Sequence, residues 1–301
     1  MTDAAAVLLA YPGYESLTEA LSAQLGWPNA RLTVHHFPDG ETLVSVPPDL
    51  AGACVVLVAG LDQPDQKAWA LLFAADALRD TGVRRIGLLA PYLGYMRQDT
   101  RFHPGEAITS RTFADVMSTR FDFLLTVDPH LHRYASLSEI YRNQAVHVSA
   151  MSAMADWLRR EVVKPVLIGP DSESEQWIAA VAAQIGAPFT VLRKERHGDK
   201  SVVITPPELA QYRDHTPVIL DDILSTARTM AVVVGQLRET GMPPPVCVAV
   251  HALLVGDALD VLMAAGPARV VTCNTVAHAT NGIDISPVLA AALPALAGQP
   301  A

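Results

Sequence analysis

Short β-branched runs alternate with longer segments whose apolar residues recur at helical spacing along nearly the whole chain, and this alternation predicts parallel α/β architecture. The predicted strands are Ala5–Ala10, Leu32–Phe37, Cys54–Ala59, Ile86–Ala90, Phe123–Val127, Val166–Gly169, Phe189–Lys194, Ser201–Thr205, Val218–Leu220, Val246–His251 and Val270–Asn274. Helical periodicity covers Tyr14–Leu25, Gln66–Thr81, Thr109–Arg120, Ser149–Val162, Glu173–Ile185, Thr226–Thr240 and Asp257–Ala265, with an alanine-rich closing helix from Val288. Two halves of similar alternation meet near Tyr141–Ala150 without a low-complexity linker. The expected domains are therefore residues 1–145 and 146–301, closely packed, with the last helix returning to the first domain. Length agrees, since 301 residues, half of them hydrophobic, can fill two cores.

A net charge of −9 argues against nucleic acid or an anionic membrane as partner, so any bound anion must meet local cations. Cys54, Cys247 and Cys273 each sit in an apolar run with no CxxC spacing, which reads as buried reduced thiols. Asp3 stands where a leader would carry basic residues, the apolar stretch Ala4–Ala10 is short, and no uninterrupted run reaches bilayer length. A cytoplasmic protein without an anchor is expected.

The stretch VILDDILSTARTM, Val218 to Met230, carries the chemistry. Ligands of open parallel sheets sit beyond the carboxyl ends of strands, where Asp221 and Asp222 are expected. The following turn opens a helix whose first amides suit a phosphate, with Ser225, Thr226 and Thr229 adding hydroxyls around Ala227 and Arg228. Paired carboxylates suit vicinal sugar hydroxyls, and a phosphorylated pentose satisfies both. The alternative is that Asp222 and Ser225 only cap a helix.

Other stretches stand at comparable places. FPDGE, Phe37–Glu41, contains a turn at Pro38-Asp39-Gly40. GYMRQDTRFHPGE holds Arg97, a planar fork of donors for a phosphate or a base, and Gln98 after a Gly94 turn. In TVDPH, His130 follows Asp128 at another strand end. RKERHGDKSV, Arg193–Val202, reads as a hairpin flap with Lys194, Arg196 and Lys200 near its tip.

Taken together, FPDGE, PYLGYMRQDTRFHPGEAITSRTFADVM, TVDPH, GPD and RKERHGDKSV resemble the ribose-phosphate pyrophosphokinases, over nearly the whole chain. That resemblance implies two pseudo-duplicated phosphoribosyltransferase-type (type I) domains, mostly parallel sheets flanked by helices. It also implies an active site where the domains meet, and a homo-oligomer whose neighbouring subunit completes the nucleotide site. The implied reaction moves the diphosphoryl group of Mg-ATP to O1 of ribose 5-phosphate and releases AMP.

By the same resemblance Phe37, Asp39, Glu41, Arg97 and Gln98 hold ATP, and His130 and Asp171 hold Mg2+. Ribose 5-phosphate falls to Asp221, Asp222 and Ser225–Thr229, and Lys194 with Arg196 steadies the transferring group. Two departures from the family pattern stand out. Ser172–Trp177 replaces a glycine-bearing diphosphate loop, with a Ser172/Glu175 capping-box spacing that would start the helix at Asp171 and acids at Glu173 and Glu175 that would reach a metal or the flap cations. Arg228 replaces a glycine, where it would contact a phosphate or narrow the pocket. They leave open a kinase for another phosphopentose, a phosphoribosyltransferase, or a silent synthetase-associated subunit.

Overall fold

The computed structural model describes residues 6–170, 174–197, 200–204 and 207–298, with the backbone alone for those between 193 and 210 other than Leu209. In chain order, β1 (Ala6–Ala10), α1 (Glu15–Leu25), β2 (Asn29–Arg31), β3 (Thr33–His36), β4 (Thr42–Ser45), β5 (Cys54–Val58) and α2 (Pro64–Asp80) come first. They are followed by β6 (Arg85–Ala90), α3 (Thr109–Ser118), β7 (Phe123–Val127), β8 (Gln144–Val148) and α4 (Met151–Glu161). Next come β9 (Pro165–Gly169), α5 (Glu175–Ile185), β10 (Phe189–Val191), β11 (Arg193–His197), β12 (Lys200–Ile204) and β13 (Thr216–Leu224). The chain ends with α6 (Arg228–Glu239), β14 (Val246–Ala252), α7 (Ala258–Ala265), β15 (Arg269–Cys273), β16 (Asn281–Ile283) and α8 (Ser286–Ala297).

Two six-stranded sheets result, ordered β2-β1-β5-β6-β7-β8 and β10-β9-β13-β14-β15-β16. Every neighbouring pair in both is parallel. The same plan is written twice: two strands, an antiparallel hairpin (β3–β4 or β11–β12), then four more strands. The chain thus consists of two pseudo-duplicated parallel α/β units. One compact unit comprises Met1–Ser149 with Ser286–Ala301, and the other Ala150–Ile285.

Helices on the faces explain the composition of the strands. Central β5, β7 and β14 are buried at every residue, as strands covered on both sides must be, and their sequences are almost wholly apolar. Edge strands β2, β8, β10 and β16 are short or partly exposed, which limits edge pairing. In the first unit Leu57, Leu71, Leu78, Ile86 and Leu124 form the core, and α8 lies against α1 and β8 with Ser286 Oγ accepting from Gln24 Nε2 at 2.6 Å. Ile168, Ile219, Val233, Leu237, Cys247 and Leu262 form the core of the second. All three cysteines are buried, and none forms a disulfide among the described residues. Among the described residues no helix is long and apolar enough to cross a membrane.

Several elements depart from expectation. β13 continues four residues past Leu220, because β14 keeps pairing with it as far as Leu224. α6 starts at Arg228 instead of Thr226, and α5 at Glu175 instead of Asp171 or Glu173. Ser174, not Ser172, occupies the N-cap position of α5 and makes no side-chain cap bond. β8 fills what looked like a junction in the sequence, and the chain passes from one unit to the other after Ser149.

Candidate active site

In a sheet of this order the crevice lies where the strand sequence reverses, beyond the carboxyl ends of the two strands that flank the reversal. In the second unit these are β9 and β13. Asp221 and Asp222 sit inside β13 and not past its end, both half-buried, and Asp222 N–H donates to Asp221 Oδ1 at 3.0 Å. Ser225, Thr226 and Ala227 form the turn into α6. Ala227 takes a left-handed conformation (φ 55°), tolerable for a small residue, and thereby turns the chain sharply into the helix.

Among the described residues no side chain caps α6, so capping does not account for Asp222 and Ser225. The turn is instead fixed by its backbone, with Val255 N–H donating to Ser225 O at 3.1 Å and Leu254 N–H to Leu224 O at 2.8 Å. Ala227 is buried while Thr226, Arg228 and Thr229 are exposed around the positive end of the helix dipole. Arg228 ion-pairs with Asp257 at 3.4 Å, both about two-thirds exposed, a solvated pair that contributes little.

Its counterpart in the first unit is built differently. Between β1 and β5, Asp62 Oδ1 accepts from the Tyr14 hydroxyl (2.8 Å) and from Lys67 Nζ (2.6 Å), and Lys67 also reaches Gly60 O (3.0 Å). Burial and the adjacent Asp62 charge push the Tyr14 hydroxyl pKa well up. A Cβ on Gly60 would overlap the Tyr14 ring, so this crevice is packed by the chain's own side chains.

Polar groups of the first unit gather instead on the loops after β6 and β7. After β6, Gly94 lies so close to Leu61 O and Pro64 that a side chain would collide. Tyr95, in a left-handed conformation (φ 64°), donates its hydroxyl to Asp65 in the first turn of α2. Met96 is buried; Arg97 and Gln98 are exposed; Asp99 is buried again. Anchors on both sides thus present Arg97 and Gln98 to solvent. After β7, Asp128 takes a strained φ of 33° and donates its N–H to Val148 O at 3.0 Å. His130 Nδ1 lies 3.0 Å from His132 Nε2, with their ring centroids 3.7 Å apart.

Next to these loops stand contacts that the sequence reading missed. Arg133 Nη1 donates to Asp99 Oδ1 at 2.7 Å, the Tyr134 hydroxyl donates to Asp99 O at 3.3 Å, and Ser110 N–H donates to Gln98 O at 3.3 Å. Asp99 lay in plain view within the quoted block, but its partner is 34 residues away and carries no local signal.

The FPDGE segment is the tip of the β3–β4 hairpin. Gly40 N–H donates to Phe37 O (2.9 Å), Phe37 N–H to Glu41 O (2.8 Å) and Glu41 N–H to Asp39 Oδ1 (3.2 Å), with Gly40 at φ 93°, a conformation glycine permits. Phe37, Asp39 and Glu41 are exposed, and the Phe37 ring rests edge-on against His35. Lys194 and Arg196 lie two apart on β11, opposite Val203 and Ser201 of β12, in the equivalent hairpin of the second unit. Their side chains, and Asp171, Ser172 and Glu173 altogether, lie outside the described residues. Glu175 is exposed in the first turn of α5.

A family model described as the N-terminal domain of ribose phosphate pyrophosphokinase matches residues 6–120, and one described as the phosphoribosyl transferase domain matches residues 136–285. The ribose-phosphate pyrophosphokinase of Methanopyrus kandleri is 33% identical over 94% of this chain and 95% of its own. The chain belongs to this family. In Halobacterium salinarum a family member is 34% identical over 95% of this chain and all of its own length. The crystal structure of phosphoribosylpyrophosphate synthetase from Mycobacterium smegmatis superposes with a TM-score of 0.83 at 23% identity, covering 97% of this chain and 98% of that one, which supports the two-unit fold.

Proposed function

We propose that the protein transfers the diphosphoryl group of Mg-ATP to O1 of ribose 5-phosphate, giving phosphoribosyl diphosphate and AMP. The observation that carries the reading is the Ser225–Thr229 turn. It joins a switch-point strand bearing two adjacent carboxylates to an uncapped helix N-terminus, which is what a pentose phosphate requires at each of its ends. Phosphate accepts from the amides and hydroxyls of Ser225, Thr226, Ala227, Arg228 and Thr229, while Asp221 and Asp222 accept from the ring hydroxyls.

The nucleotide falls to the first unit. Arg97 supplies a bidentate donor for phosphate and Gln98 an amide, both held outward by anchored neighbours. Phe37, Asp39 and Glu41 on an exposed hairpin tip suit an adenine carried by another copy of the chain, which makes a homo-oligomer the working assembly. His130 and Asp171 would hold magnesium. Since this ion accepts few nitrogen ligands, its shell there would be mostly phosphate oxygen and water, with at most one nitrogen from His130, whose Nδ1 lies 3.0 Å from His132 Nε2. Bound there, it would neutralise charge on the transferring phosphates.

In the reaction the O1 hydroxyl gives up its proton to solvent and bonds to the β-phosphorus as that phosphorus parts from the bridging oxygen, which leaves with AMP. Lys194 and Arg196 on the β11–β12 hairpin steady the equatorial oxygens, so positioning and charge carry the rate. Buried free thiols and the lack of a membrane-crossing helix among the described residues suit a reducing cytoplasm.

Phosphorus NMR of the purified protein with ATP, magnesium and ribose 5-phosphate tests the reading. AMP and a new diphosphate on C1 are expected, and both should vanish in Lys194→Ala. Intact ATP would transfer the weight to a silent subunit or another phosphopentose acceptor.

A further inference from the structure

Among the described residues, Asp99 is the carboxylate most completely withdrawn from water that still holds an ion pair: its side chain is 1% exposed, against 53% for its partner Arg133. One oxygen takes the Arg133 bond, and the other, Oδ2, is buried with no hydrogen-bond partner among the described residues. A buried carboxylate so incompletely satisfied adds little to stability, and an apolar side chain of the same volume would serve the core as well or better. What the pair does fix is geometry.

We propose that Asp99 and Arg133 are positioning residues that lock the Arg97–Gln98 loop to the His130–Tyr134 segment, so that groups from two strand ends meet one nucleotide in a single arrangement. The inference rests on the reading above, in which Arg97, Gln98 and His130 face Mg-ATP.

The lock has two consecutive bolts. Arg133 holds the Asp99 side chain and Tyr134 holds its carbonyl, while Ser110 Oγ lies 3.3 Å from the Tyr134 hydroxyl and ties it to α3. Tyr95 on Asp65 and buried Met96 fix the near side of the same loop. The near side is thus held by the first turn of the helix after β5, and the far side by the segment after β7. Asp99 follows Gln98 directly, and Arg133 stands three residues after His130, so neither loop can shift without straining a charge-assisted bond. Arg133 spreads its guanidinium 5.8 Å from the Phe102 ring centroid, which keeps its fork oriented while half in water.

Steady-state kinetics and calorimetric titration with Mg-ATP on the full chain test this. Asp99→Asn should raise KM for Mg-ATP about tenfold or more, because small misplacements of binding groups cost that much, while KM for ribose 5-phosphate stays within about twofold. Arg133→Gln should act in the same direction, and the double variant no worse than the stronger single one, since both remove one interaction. Arg133→Lys should recover part of the loss, restoring the charge without the fork.

Unchanged Mg-ATP parameters, a matched rise in both KM values, or additive losses would overturn the proposal and leave the pair a packing feature. Should Asp99→Asn not fold, Arg133→Gln carries the same comparison, its site being half exposed. If the wild type binds Mg-ATP but makes no product, the reaction assignment fails on its own, and a tenfold loss of Mg-ATP affinity in Arg133→Gln still supports the lock. A wild type that binds no nucleotide sinks both.

Discussion

Asp221 and Asp222 are successive residues of one strand, so their side chains leave opposite faces of the sheet unless the pleat is disturbed. The register with β14 runs unbroken from Val218 to Leu224, the Asp222 N–H donates to the Asp221 carboxylate at 3.0 Å, and both acids are half-buried just before the turn. Asp222→Asn keeps shape and one acceptor but removes the charge. Losing a charge-assisted hydrogen bond to a sugar hydroxyl should raise KM for ribose 5-phosphate about tenfold to a hundredfold, with KM for Mg-ATP within about twofold. Initial-rate kinetics with each substrate varied in turn would check it, and an equal rise in both KM values would contradict the assignment. Arg228, where the sequence suggested either a phosphate contact or a narrowed pocket, pairs with Asp257 in the structure.

Elements carry their own constraint in Gly87. It pairs with Phe123 on the neighbouring strand, and a Cβ there would overlap that fully buried ring, while the Arg85 guanidinium covers the same ring at 5.1 Å. Glycine in this strand is thus a packing requirement, since the aromatic takes the volume a side chain would need. Gly87→Ala should destabilise the protein by about 1–3 kcal/mol through overpacking, and Phe123→Leu in the same chain should relieve part of that. Denaturant midpoints measure it; full additivity of the two changes would refute the contact. Elements of this buried kind were legible in the sequence, because strands covered on both faces must be apolar throughout and helices between them must be amphipathic. The short edge strands β2, β8 and β16 were not, having too few buried residues to impose a pattern. The extension of β13 through Asp221–Leu224 was hidden for a related reason: polar residues read as a strand end, whereas pairing with β14 overrode that signal. Site residues were legible where one loop carries several of them, and illegible where, as with Arg133, the partner comes from a distant strand end.

At the scale of the whole molecule, duplication gives two sheets of one topology and two crevices of opposite character, one packed by Tyr14, Asp62 and Lys67, the other opening on the Ser225–Thr229 turn. The same apolar interior that builds both sheets also sets how the protein responds to alkali. Burial pushes the Cys247 thiol from its usual value near 9 up to about 12, raises Cys54, and raises the Tyr11, Tyr14 and Tyr141 hydroxyls. In Tyr95 the hydrogen bond to Asp65 has the same effect, to about 12. Each of these groups keeps its proton more firmly folded than unfolded. Its contribution is therefore whole below the unfolded value and is lost as pH climbs toward the folded one. Melting temperature should fall from about pH 9 upward, with a buried thiol such as Cys247 contributing up to about 1 kcal/mol per pH unit between its two values. The net charge of −9 adds repulsion in the same direction, but exposed charges are screened by salt and a buried thiol is not. Melting curves from pH 7 to 11 in low and high salt should keep most of the alkaline slope in high salt. Cys247→Ala should flatten that slope while lowering the melting temperature at neutral pH, where the small cavity it leaves is felt. A slope abolished by salt, or unaltered by Cys247→Ala, would trace alkaline unfolding to surface charge and not to the buried interior.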